Sequence, residues 1–413
     1  MEVIVVGAGI GGLSLGLALH QAGIPCRVYE AAPAIKPIGV GISLLPHATR
    51  ILSELDLEEA LARVAVSAVE SCFFNRFGQL IWREKLGRAA GYDWPQFQIH
   101  RGDLQSVLRD AFIRRAGAER LLTGWRCTGF AQDADKVTVE FADTGTGEPL
   151  PPQHGTAAVG CEGIHSPIRK QLYPAEGEPH YTGYNMWRGV SRWLPFLSGA
   201  TFVRAGWLAT GKLVIYPIRD RIDAEGRQLV NWVAEIETPH HQRRDWNRPG
   251  RLADFIRAYA DWRFDWLDVP AMLAASDVIL EFPMVDQDPL PRWSFGRVTL
   301  LGDAAHPMVP RGSNGAGQAI LDVRALVDCL RKERDPIAAL QEYERLRLAP
   351  TAKVVLTNRQ NPPDAILREV YLRTGDQPFD DIDRVISRDE LRALSDGYKR
   401  VAGYDKETLA AGR

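Results

Sequence analysis

The stretch "VIVVGAGIGGLSLGLALHQAG", Val3 to Gly23, decides the fold. Val3 to Val6 is a short β-branched run suited to a parallel sheet buried on both faces, and Leu13 to Ala22 has the apolar spacing of a helix. "CRVYE", Cys26 to Glu30, supplies the next strand and completes a β-α-β unit. Gly7, Gly9 and Gly12, with Gly11 beside them, stand between strand and helix in the order G-x-G-x-x-G. Gly7 permits the tight turn, Gly9 lets the backbone approach a pyrophosphate, and Gly12 lets helix and strand pack closely. The free N–H groups of the helix N-terminus face the anion. Glu30 ends the second strand, where a carboxylate can hold the ribose hydroxyls of an adenosine. These residues predict a dinucleotide site and leave FAD and NAD both open.

A second corner separates them. In "LLGDAAHPMVPRGSNGAGQAILD", Leu300 to Asp322, Gly302 turns the chain at the end of a strand and Asp303 projects a carboxylate on the side where open α/β sheets bind ligands. Gly312, Gly315, Ala316 and Gly317 then open a helix with unobstructed amides, which can stabilise negative charge at the N1–C2=O edge of a flavin. One corner suits the ADP half and the other the ribityl and isoalloxazine half of non-covalent FAD.

Between the corners the pattern changes. "SAVESCFFNRFGQLIWRE", Ser67 to Glu84, alternates as strands do, a helix follows from Gly102 to Arg114, and "AAVGCEGIHS", Ala157 to Ser166, is strand-like. Several strand-length runs between Tyr181 and Ile236 predict a mainly antiparallel sheet, followed by a helical stretch near Leu252 to Tyr259. "GTGEPLPPQHG", residues 145 to 155, reads as a loop. Helices are expected over Gln318 to Arg331 and Ile337 to Asn358, and the chain beyond Asn361 reads as helical with loops. The expected organisation is a discontinuous cofactor domain (1–66, 98–176 and 278–358), a substrate domain (67–97 and 177–277) and a C-terminal helical segment (359–413).

Composition narrows the function. A formal net charge of -2, with Lys and Arg spread along the chain, argues against nucleic acid and acidic membrane surfaces as partners. Five widely spaced cysteines without a CxxC pair predict neither a disulfide framework nor a zinc site. Glu2 stands where a secretory signal would be basic, and no run approaches the ~20 apolar residues of a membrane span, so a cytoplasmic protein is expected.

With these motifs in order, the sequence resembles the single-component FAD-dependent aromatic hydroxylases related to para-hydroxybenzoate and salicylate hydroxylases, over roughly residues 1 to 360. The resemblance rests on "GAGIGG" with Glu30, "GCEGIHSPIR" at Gly160 to Arg169, and the second corner. The stretches "IHRGDLQ" (Ile99 to Gln105), "MWRGV" (Met186 to Val190) and "PMVDQDPLP" (Pro283 to Pro291) look closest to the phenazine hydroxylase branch. It implies a Rossmann-like FAD domain of the glutathione-reductase-like type with an inserted antiparallel sheet and C-terminal helices. It also implies that Arg101 and Gln105 reach FAD, that Asp303 bonds the ribityl chain, and that Pro310 lies beside the flavin ring. Relatives usually carry Ala-Asp where this chain has Cys161-Glu162, and Glu162 is expected near the cofactor.

The implied reaction consumes NADH or NADPH and O2, and a flavin C4a-hydroperoxide hydroxylates a small aromatic or heteroaromatic substrate. Because the cofactor carries the hard step, no catalytic triad is expected. Trp187, Tyr216 and Pro217 are expected to line the substrate pocket. His306 is expected to be structural, and Asp286 and Asp288 to pack near the lobe junction. His47, His100, His240 and His241 lack metal-ligand spacing, so no metal is expected. Competing readings are a flavin-dependent halogenase, although the W-x-W-x-I-P signature is missing, an oxidase or reductase without oxygen insertion, and a non-enzymatic FAD sensor. The protein is expected to be a monomer or homodimer.

Overall fold

An α/β fold emerges in a computed structural model that describes residues 1–37, 39–238, 248–360 and 364–411. The strand Val3–Val6 lies inside a six-stranded sheet, flanked in parallel by Cys26–Glu30 and Ala157–Gly160, and Ala157–Gly160 pairs in parallel with Val298–Leu300. Three of these strands are buried at every residue, as in sheets covered on both faces. The helix Ile10–Gln21 is buried from Gly12 to Leu19. Gly16 shows how: a Cβ there would stand 2.7 Å from the Phe112 ring and 3.0 Å from Val28, so helix Arg101–Ala116 and the sheet both close on its bare backbone.

Val6 is level with Gly160, and Gly160 with Leu300. The chain therefore leaves all three strands at one edge of the sheet, the edge where α/β ligands bind.

The second layer is an eight-stranded sheet. Ser276–Asp286, His180–Trp193, Gln228–Glu237, Gly211–Arg219 and Thr201–Trp207 run antiparallel in that order, and Glu70–Phe74 joins Thr201–Trp207 in parallel. Side-chain alternation divides its two faces. Outside, Trp187, Leu213, Ile215 and Trp232 pack with Phe255, Tyr259 and Trp262 in an aromatic core. Inside, Arg188, Val233, Val214 and Arg204 form one row across four strands, and Met186, Glu235 and Lys212 form the next.

The helices Pro336–Gln360, Ala365–Thr374, Arg388–Ala402 and Lys406–Ala411 close the fold. Ile366, Leu367, Val370 and Leu391 bury Phe73 and Ile81 of the large sheet. Asp364 bonds Lys212 at 2.5 Å and Arg204 at 3.2 Å.

Three sequence expectations need correction. Pro149–Gly155 is not a loop but the edge strand of a three-stranded sheet with Val137–Asp143 and Trp125–Gln132. Its prolines are tolerated because an edge strand leaves one side without ladder partners. The region near Leu252–Tyr259 forms two 3-10 turns rather than one helix. The limit expected at residue 278 falls within Ser276–Asp286, a strand of the large sheet. His240, His241 and Pro362–Pro363 lie outside the described residues.

Candidate cofactor and substrate site

The first corner is built by close backbone approach. Gly7 has φ +98°, and a Cβ on it would stand 2.5 Å from the Cys161 carbonyl oxygen, while a Cβ on Gly12 would overlap the carbonyl oxygen of Gly7. Gly11 sits over Leu301 of the second corner, where a Cβ would meet the Leu301 side chain at 2.9 Å. Gly9 differs: its added Cβ meets nothing within 4 Å, so space remains beside the loop for a ligand. The Glu30 carboxylate fixes the loop from below, accepting the Ala8 N–H and the Ala32 N–H at 2.8 Å each. Gln105 donates to the Ala8 carbonyl at 2.8 Å. Arg101, exposed at the start of the same helix, lies beside Gly39.

Buried charge holds the second corner. Asp322 accepts the Gly302 N–H at 3.2 Å, and it lies 2.5 Å from His306 Nε2 and 2.7 Å from Arg347 Nε. Burial alone would raise its pKa, yet His306 and Arg347 keep it below the ordinary carboxylate value. His306 is thus tied to the corner's frame. Arg169, the last residue of the middle motif, donates to the carbonyls of Ala304 and Ala305 at 2.8 and 3.1 Å while gripping Glu176. Asp303 is left exposed, with no partner among the described residues, 3.8 Å from where a Cβ on Gly315 would stand. In the helix Gly315–Lys332 the first backward bond comes from Gln318 to Asn314, so the amides of Gly315, Ala316 and Gly317 remain free for an acceptor.

Glu162 lies between the corners. Its Oε2 accepts from Ser166 Oγ at 2.8 Å, and its Oε1 is buried without a partner. Burial raises its pKa to about 7. Such a carboxyl binds its proton more tightly folded than unfolded, so its stabilisation is complete below its ordinary value of 4.5 and is lost as pH rises to about 7. Thermal melts at several pH values should show that decline in the wild type, and a flatter profile in Glu162→Gln.

The inner face of the large sheet lies against the loop of the second corner. Val309 packs on Met186, Val233 and Met284, and Pro310 beside it is exposed. Val214 and Arg188, on central strands of this face, are only partly buried, so an accessible gap opens there. Tyr216 lies on the same face, stacked on Phe202 with ring centroids 4.8 Å apart. Its hydroxyl donates to the Gly41 carbonyl at 2.9 Å. Trp187 requires correction: strand alternation turns it to the outer face, where it stacks on Phe255 at 5.3 Å, away from the gap. Pro217 shares that parity. From "MWRGV" Met186 and Arg188 point inward, Arg188 being the polar one, and a period-two reading of the motif could have found it. Asp286 pairs with Arg359 at 2.6 Å, and Asp288 with the same guanidinium at 2.7 Å.

This arrangement fits a long, two-ended anionic cofactor. A bare glycine loop has open space at one end, and three free amides with an unpaired carboxylate stand at the other. A family model described as "FAD binding domain" matches residues 1–357. Phenazine 1,6-dicarboxylic acid hydroxylase from Lysobacter antibioticus is 41% identical over 362 residues, covering 87% of this chain and 89% of that protein. A 3-amino-4-hydroxybenzoate 2-monooxygenase from Streptomyces platensis is 35% identical over 371 residues, covering 87% of each. Among solved structures, Klebsiella pneumoniae HpxO complexed with FAD and uric acid superposes with a TM-score of 0.74 at 26% identity, covering 100% of this chain and 95% of that one.

Proposed function

We propose residue roles and a substrate class from the premise that this chain belongs to the FAD binding domain family, among the class A aromatic hydroxylases. It is an FAD-dependent, NAD(P)H-consuming monooxygenase that hydroxylates a small aromatic substrate. When bound, FAD would supply the redox chemistry, taking electrons from the reduced nicotinamide and passing them to O2. The chain's own residues bind, orient and shield.

In this reading Gly7, Gly9, Gly11 and Gly12 receive the pyrophosphate, and Glu30, already holding the loop, accepts from the ribose. Arg101 and Gln105 line the cofactor's path, and the orphaned Oε1 of Glu162 faces it between the corners. Asp303 accepts from the ribityl hydroxyls. The amides of Gly315 and Ala316 hold negative charge at the flavin ring without reorganising, because the helix fixes them. Pro310 borders the gap where the substrate ring lies on Val214 and Val233, an apolar floor that excludes water. Tyr216 positions rather than transfers a proton, since its hydroxyl is committed to Gly41.

The observation that carries the reading is the meeting of both corners at one sheet edge above this half-open inner face. The substrate is of phenolic or aromatic-acid type, as in the relatives named for hydroxybenzoates and 6-hydroxynicotinate. The further assignments are a cytoplasmic monomer or homodimer using NADH or NADPH, without nucleic acid as partner.

A panel of 3-hydroxybenzoate, 6-hydroxynicotinate, 3-amino-4-hydroxybenzoate and phenazine 1,6-dicarboxylate tests it under 18O2. One of these or a close analogue should accelerate NAD(P)H oxidation and gain a single labelled oxygen atom. Unlabelled products with stoichiometric peroxide across the panel would sink the reading.

A further inference from the structure

The inner face of the large sheet carries more positive charge than its carboxylates neutralise. Lys212 pairs with Glu235 at 2.8 Å and with Asp364 at 2.5 Å, Arg204 pairs with Asp364 at 3.2 Å, and Arg311 stands 3.6 Å from Glu235. Three cations thus share two carboxylates, and Arg188 is a fourth that no carboxylate reaches within ion-pair distance among the described residues. Its Nη2 donates to the Gly41 carbonyl at 2.6 Å, and its Nε is buried without an acceptor. Burial works against its charge, and Arg101 lies close enough to add repulsion. A desolvated guanidinium in this state lacks an anion.

Its place says which anion. Arg188 shares a cross-strand row with Val233 and Val214, and it is partly exposed on a central strand, so it borders the gap over that apolar floor. An aromatic ring on the two valines would bring a ring-attached oxygen to the guanidinium edge.

We propose that Arg188 receives the anionic oxygen, carboxylate or phenolate, of the aromatic substrate and so sets the enzyme's preference for charged rings. This assignment rests on the aromatic-hydroxylase reading above. It makes Arg188 a specificity residue that acts through a charge-assisted, fork-shaped contact lysine reproduces only in part.

The test uses FAD-loaded wild type, Arg188→Gln, Arg188→Lys and Tyr216→Phe. Ligand affinity is read from the flavin absorbance change with 3-hydroxybenzoate, its methyl ester, and 3-methoxybenzoate. The wild type should prefer the acid to whichever derivative removes the recognised anion: loss with the ester identifies the carboxylate, and loss with the methoxy compound the phenolate. Arg188→Gln should weaken that ligand by about 10- to 100-fold and erase the preference, with Arg188→Lys intermediate. FAD content should hold, because Gly41 keeps its bonds to Asn231 and Tyr216 at 2.8 and 2.9 Å.

Equal weakening of all three ligands, loss of FAD from Arg188→Gln, or the same loss of preference in Tyr216→Phe would overturn the proposal, assigning Arg188 to the cofactor or to the Gly41 loop. If no ring compound perturbs the wild-type flavin or its reduction, the aromatic-substrate reading fails and the proposal falls with it.

Discussion

Gly12→Val protein is expected to purify colourless. A side chain at residue 12 is driven into the carbonyl oxygen of Gly7, and that turn is itself pinned, since a Cβ on Gly7 would lie 2.5 Å from the Cys161 carbonyl. Three backbone segments meet there, and none is a flexible side-chain end that could yield. Overpacking against backbone of this kind costs about 3 kcal/mol or more, which is on the order of a hundredfold in cofactor affinity. The measurement is the 450 nm absorbance per protein, read beside far-UV circular dichroism. A folded protein that keeps full FAD would show that the corner does not carry the pyrophosphate.

Asp364→Ala should be the most destabilising change at the junction of the large sheet and the C-terminal helices. Asp364 is 3% exposed and holds both Lys212 and Arg204. Removing one partner from a buried ion cluster leaves charge uncompensated, typically at a cost of about 3 to 5 kcal/mol. The pH dependence has a definite sign. Burial favours the neutral acid, but Lys212 and Arg204 hold the pKa below its ordinary 3.8, so the contribution is full above that value and disappears as pH falls through the depressed one. Chemical denaturation should show a large drop for Asp364→Ala at neutral pH and a smaller gap between variant and wild type in acid. An unchanged midpoint would show that the cluster contributes no net stability.

Both corners are legible in the sequence because their glycines answer to local backbone demands: a positive φ at Gly7 and Gly302, and contact with a neighbouring backbone at Gly12. The parallel strands are legible because both their faces are buried. The outward turn of Trp187 is not legible, since an aromatic residue suits a pocket and a core equally well and only the pairing register separates it from Arg188. Pro149–Gly155 was hidden because proline strands form only where a partner ladder leaves an edge for them. Asp322 and Arg169 close two of the quoted motifs, yet their partners lie elsewhere in the chain and are set by the fold, and no local pattern announces Asp364.

Tyr398, near the end of the chain, occupies the space that a side chain on Gly312 would need; it accepts from Asn314 Nδ2 at 2.9 Å and donates to Asn358 at 2.8 Å. The loop proposed for one end of the cofactor is therefore braced by a residue translated long after the loop proposed for the other end. At about 5 to 20 residues per second, on the order of 15 to 60 s of translation separate Val3 from Val298. Through that interval the sheet grows outward from the opening β-α-β unit, and once Ala157–Gly160 has paired with Val3–Val6 its far side stays open until Val298–Leu300 arrives. Flavin capture is then a late event in biogenesis, and a ribosome stalled before Tyr398 would display a half-built cleft.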